Sequence, residues 1–144
     1  MPAKIVPKER LQVRINIARQ LAVFLDNRPG TLARLCDALR EAKINIYAIS
    51  TSDTVDHIVV RMVLSDPAMA LAMFEERGTL VTTTDVLMLD GNNRTGSLAQ
   101  IAHILAEAHV NIEYIYCATS PNAQKGLLIL RVSDPKKALK LLNS

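Results

Sequence analysis

The sequence predicts an α+β chain built from two βαββαβ units in tandem, and three observations carry that prediction. Residues 30–46 return 66 positions later as residues 96–112. Each copy holds one apolar stripe of helical spacing, flanked by short runs of strand-forming residues. Each copy's third strand then stops at the same tripeptide, Ser65-Asp66-Pro67 and Ser133-Asp134-Pro135. Across the repeat, Gly30, Leu32, Ala33, Leu39, Glu41, Ala42, Asn45 and Ile46 recur unchanged. Unrelated segments of that length share roughly one identity, so this is an internal duplication.

The elements follow in order. Leu11, Val13, Ile15 and Ile17 alternate with Arg10, Gln12, Arg14 and Asn16, and this period of two predicts a half-buried strand over 11–17. Residues 22–25 and 86–89 are too short for helices and rich enough in β-formers for strands. Leu32, Leu35, Leu39 and Ala42, like Leu98, Ile101, Leu105 and Ala108, recur at three and four residues and predict one amphipathic helix per copy. Branched and aromatic residues over 44–51 and 110–117 predict second strands, and 57–64 and 127–132 predict third strands. At each Ser-Asp-Pro, Asp can cap a helix and Pro suits its first turn, so helices are expected over 67–77 and 135–143. Residues 79–84 close the first unit and run directly into the opening strand of the second.

The second copy reaches Ser144 with no closing strand of its own. Strand 11–17 is therefore assigned as a permuted edge strand of the second sheet; the alternative is an arm pairing with a neighbouring chain, which edge strands invite. The expected organisation is an N-terminal segment 1–18, a first domain over 20–84 and a second over 85–144.

Composition narrows the function. The 144 residues contain 17 Lys and Arg, 14 Asp and Glu and no Trp, for a net charge of +3. The basic residues are scattered among acids, without the stripe that nucleic-acid binding needs. Tyr114 and Tyr116 share a strand face, but the first copy has no matching pair and no basic groove flanks them, which argues against an RNA-stacking sheet. Cys36 and Cys117 form no CxxC motif and read as free thiols of a reducing compartment. Arg14 and Arg19 interrupt any apolar signal segment, and no apolar run approaches a membrane span, so a soluble cytoplasmic protein is expected.

No catalytic constellation stands out: there is no phosphate-cradling Gly-rich loop, GxSxG elbow or HExxH helix. His103 and His109 lie off the core stripe, Cys36 adjoins it, and adjacent Glu75 and Glu76 diverge on their helix. Met62, Met69, Met73 and Met88 read as core fillers. Neither enzyme activity, a metal nor a cofactor is expected.

What remains is the turn entering each main helix. Gly30 and Gly96 permit backbone shapes closed to other residues and let a ligand approach. Thr31 and Ser97 stand at the helix starts, and Ser97 with Gln100 fits capping-box spacing. Unpaired helical N–H groups there form a seat for a carboxylate, while Asp26, Asn27, Asn92 and Asn93 could accept from an ammonium group. Glycine with Ser or Thr is equally ordinary strand-to-helix punctuation, so local chemistry leaves both readings open.

The stretch LDNRPGTLARLCDALREAKINI resembles the signature of the ACT domain, a small-molecule regulatory module of amino-acid metabolism. Its marks are Asp26, Pro29-Gly30, Leu32 and Asn45-Ile46; the second copy shows Asp90, Gly96, Leu98 and Asn111-Ile112, with Thr95 in place of Pro and two extra residues assigned to the turn. The resemblance implies ferredoxin-like units with antiparallel sheets side by side and helices on one face. It also implies an effector amino acid between a turn of one domain and the second strand of another. Carried over, the ligand-binding positions are Asp26, Asn27, Arg28, Pro29, Gly30, Thr31, Leu32, Asn45 and Ile46. The second set is Asn92, Asn93, Arg94, Thr95, Gly96, Ser97, Leu98, Asn111 and Ile112. A homodimer and an amino-acid biosynthetic enzyme are the implied protein partners, with a ligand-free docking module as the alternative function.

Overall fold

The computed structural model describes residues 13–92 and 95–143. The order is β1 (Val13–Asp26), α1 (Thr31–Glu41), β2 (Ile46–Asp53), β3 (His57–Leu64), α2 (Pro67–Glu76) and β4 (Leu80–Asn92). There follow α3 (Ser97–Glu107), β5 (Ile112–Ala118), β6 (Lys125–Val132) and α4 (Pro135–Asn143). The chain divides into a first unit of residues 19–84 and a second of residues 13–18 with 85–143.

Each unit has the strand order of a βαββαβ fold. In the first, the strands run β2-β3-β1-β4; in the second they run β5-β6-β4-β1. The N-terminal part of β1 thus takes the fourth position of the second sheet, and Val13, Ile15 and Ile17 pack against that unit's core. Of the strand expected over 11–17, Leu11 and Gln12 lie outside the described residues. The rest is not a separate strand but the beginning of one that continues to Asp26, because no Gly or Pro interrupts it. β4 is likewise one long strand shared by both units.

Two cores result. The first buries Leu21, Val23, Leu35, Leu39, Val60, Met62 and Phe74, with Leu25 and Ile58 packed against them. The second buries Leu87, Leu89, Ile101, Leu105, Leu130, Val132 and Leu142. Met69 is 51% exposed and fills no core, unlike Met62.

The Ser-Asp-Pro junctions act as helix starts. Asp66 accepts the Met69 N–H at 3.1 Å and Asp134 the Lys137 N–H at 3.1 Å, each capping a helix that opens on Pro. The ends of α1 and α3 rely on unusual residues: Lys43 and His109 both adopt φ 59°, left-handed positions more often held by Gly. In each, the next N–H closes back over the helix end, Ile44 to Leu39 O and Val110 to Leu105 O, both at 2.9 Å. His103 and His109 are exposed.

The ladders correct one alignment. Leu21, Val23 and Leu25 face Met62, Val60 and Ile58, whereas Leu87, Leu89 and Gly91 face Leu130, Leu128 and Gly126. The turns entering α1 and α3 are therefore of equal length, and Asn92, not Asp90, stands where Asp26 stands. The two additional residues lie in the β5–β6 hairpin: six residues separate Ser52 from its partner Val59, eight separate Ala118 from Leu127.

Candidate ligand-binding site

Gly30 and Gly96 adopt φ 92° and 89° and are the N-caps of α1 and α3, with no side-chain cap at either. The left-handed backbone explains glycine at both positions, since an added Cβ would meet nothing within 4 Å in either turn. The capping box expected from Ser97 and Gln100 does not form, because Gly96 occupies the cap and Ser97 is already the first helical residue.

The first turn ties itself off. Thr31, 8% exposed, donates its hydroxyl to Asp26 O at 2.9 Å and to Arg28 O at 3.1 Å. The Asn27 main-chain N–H donates to Asp56 O at 2.8 Å, and its amide lies 3.4 Å from Thr54 O and Val55 O. The Asp26 carboxylate sits 3.2 Å from the Arg28 guanidinium and 3.9 Å from His57. The groups expected to hold an ammonium ion are engaged with the protein itself. Pro29 and Leu32 are exposed alongside them. A cleft of about 390 Å³ nevertheless opens beside this turn, with Asp26, Arg28 and Thr31 in its lining together with Arg34 and Arg77.

The second turn is built on the same backbone with different side chains. Asn93 and Arg94 lie outside the described residues; Asn92 ends β4 opposite Lys125, and Thr95 and Gly96 are exposed. Beneath the start of α3 lies a cavity of about 130 Å³. Ser97, Leu98 and Ile101 come from α3, Leu89 and Gly91 from β4, Cys117 from β5, and Gly126 and Leu128 from β6. Sequence reasoning reached Ser97 and Leu98 here but missed Gly91, Cys117 and Gly126. The signal for the glycines was their departure from the Leu25 and Ile58 of the first copy.

Asn45-Ile46 and Asn111-Ile112 are not brought to the turns of their own units. Ile46 faces Leu64 and Asp26 faces His57, at opposite ends of β3, seven residues or roughly 23 Å apart. Instead both Asn main chains lock a junction. The Asn45 N–H donates to Ser65 Oγ at 2.8 Å and the Asn45 carbonyl accepts from the Ser65 N–H at 2.9 Å; Asn111 and Ser133 repeat this at 3.0 and 2.9 Å.

Among the described residues, no group of three His, Cys, Asp or Glu is placed to hold a metal ion, and no helix is long and apolar enough to cross a membrane. A family model described as an ACT domain pair matches residues 16–143. No curated protein matches the chain. Among solved structures, a Bacteroides thetaiotaomicron protein is 28% identical, with 90% of this chain and 88% of that one covered and a TM-score of 0.82. The regulatory subunit of aspartate kinase from Thermus thermophilus, in its ligand-free form, is 18% identical over 91% of this chain and 95% of that one, with a TM-score of 0.68. Its counterpart from Thermus flavus is 18% identical over 92% and 95%, with a TM-score of 0.58.

Proposed function

The chain belongs to the ACT domain pair family, and from that membership we propose that it is a non-catalytic regulatory module sensing a free amino acid at the turn entering α3. The cavity beneath that turn carries the reading. Helix starts leave main-chain N–H groups without helical acceptors, and those of Ser97 and Leu98 suit a carboxylate beside an opening that can house a side chain. The fold shared with aspartate kinase regulatory subunits supports a role in controlling an enzyme of amino-acid metabolism. The first turn favours a different use for its unit, as a structural or partner-docking face, because Thr31 and Asn27 already satisfy it.

Association into a homodimer belongs to the same proposal. Among the described residues β2 pairs only with β3, and it exposes Ile46, Tyr47 and Ile49, apolar groups on an edge strand. A ligand regulates such an assembly only if it binds one arrangement better than another.

A melting-temperature screen against the twenty amino acids tests the binding, since a ligand of the native state raises stability by mass action. At least one should produce a saturable rise, preserved in Gly30→Val and lost in Gly96→Val. A flat screen across all twenty would overturn the sensing role. Sedimentation with and without the active amino acid should show a dimer whose stability changes on binding.

A further inference from the structure

The duplication allows the second unit's cavity to be read against its sister, rung by rung. In the first unit Leu25 faces Ile58 across the ladder, and both side chains pack against the core beside α1. The corresponding rung in the second unit is Gly91 facing Gly126. Two branched four-carbon side chains are replaced by two hydrogens, and both glycines line the 130 Å³ cavity. Paired glycines weaken a ladder, because they lose more chain entropy and offer nothing to pack. Their place here follows naturally if something else fills the space.

Resting on the sensing role proposed above, we infer that this cavity takes the side chain of a branched aliphatic amino acid (leucine, isoleucine or valine) and that only the second unit binds it. Its complement is visible in the same molecule: the first unit fills the equivalent volume with Leu25 and Ile58. The size agrees, since an apolar cavity of about 150 Å³ in another protein admits benzene. The walls agree as well. Leu89, Ile101 and Leu128 line the apolar part, Ser97 and Thr119 add hydroxyls, and among the described residues no Lys, Arg, Asp or Glu lines it. A lysine or aspartate side chain would bring an unpaired charge into it, while glycine or alanine would leave it largely empty. Cys117 directly opposes Leu128 on the β5–β6 ladder, so its side chain shares the face that borders the cavity.

Calorimetric titration of the full chain with leucine, isoleucine, valine, glycine, lysine and aspartate provides the test. One of the branched three should bind tightest at one site per chain. Glycine, lysine and aspartate should bind at least about 100-fold more weakly. Gly126→Ile, which restores the first unit's residue, should abolish binding while the melting temperature holds. Should that variant misfold, the wild-type chain still decides: bound leucine, isoleucine or valine should slow alkylation of Cys117, read by peptide mass, and leave Cys36 unaffected. Preferred binding of a charged or polar amino acid, binding retained in a folded Gly126→Ile, or an unprotected Cys117 would each overturn the inference and leave the sensing role standing. Failure of every one of the twenty amino acids to bind would remove both.

Discussion

The turns entering α1 and α3 share a glycine at nearly the same φ and a helix of equal length behind it, yet they present different surfaces. The first is tied to the chain's own carbonyls by the Thr31 hydroxyl and by Asn27, beside an arginine-lined cleft and over a ladder filled with Leu25 and Ile58. The second lies over a cavity bounded by Gly91 and Gly126. What the two retain is what the backbone demands: left-handed glycines, Ser-Asp-Pro caps and Asn–Ser junctions. Where they diverge, in the side chains around the turn and the rung below it, a binding function can arise without disturbing the fold. On the proposed reading, the same scaffold is structure in one unit and a receptor in the other.

The most severe way to break this comparison is to remove the strand that the units share. Deleting residues 1–18 takes Val13, Ile15 and Ile17 from the second core and Val13 from the wall of its cavity, while β1 of the first unit begins only at residue 19. Hydrogen exchange followed by mass spectrometry should show protection lost over 97–143 and kept over 31–76. Equal protection in both regions would show that the second sheet does not need this strand.

Exchanging the diverged rung comes next in size. Leu25→Gly with Ile58→Gly should destabilise the chain by about 3–6 kcal/mol, because both side chains pack on the first core and their loss leaves a void. The reverse exchange, Gly91→Leu with Gly126→Ile, should leave stability unchanged or raise it, since it fills an existing opening. Denaturant unfolding of the two double variants would expose a failure of the comparison if their costs were alike.

A smaller difference should separate the turns themselves. Thr31→Ala removes a buried hydroxyl that donates to two carbonyls, so a loss of about 1–2 kcal/mol is expected. Ser97→Ala should cost less than about 0.5 kcal/mol, as a substitution at a partly exposed helix start outside the core. Equal losses in chemical unfolding would mean that both turns are tied in the same way.

Much of this was legible in the sequence because it depends on local pattern. The period of two in Val13, Ile15 and Ile17, the helical stripes and the Ser-Asp-Pro caps each follow from a few neighbouring residues. The offset between the turns was not, because Leu89-Asp90 mimics Leu25-Asp26 locally. Only the rungs across to β3 and β6 reveal that Gly91 and Asn92 are the true counterparts. The same non-locality hid the cavity, whose glycines are 35 residues apart, and the junction role of Asn45, whose partner Ser65 is 20 residues away. Leu32 and Leu98 belong to the stripe by spacing, yet they are 38% and 44% exposed, since at the first turn of each helix the core has already ended.

The smallest effect concerns a place where the two units agree. Lys43 and His109 each hold φ 59°, a conformation that costs an L-residue roughly 1–2 kcal/mol and glycine almost nothing. Glycine also loses more chain entropy on folding, which offsets part of that gain, so Lys43→Gly and His109→Gly should each stabilise the chain by about 0.5–1 kcal/mol. Both residues are exposed and the bonds closing each helix end come from main-chain N–H groups, so neither substitution removes a buried contact or a closing bond. Because the geometry at the two exits matches, the two gains should be equal within error and additive in the double variant. Chemical unfolding of the singles and the double measures this directly. A gain at only one exit would show that the units differ in their frame as well as in their side chains, and the assignment of one unit to structure and the other to binding would then need a cause beyond the turn and its rung.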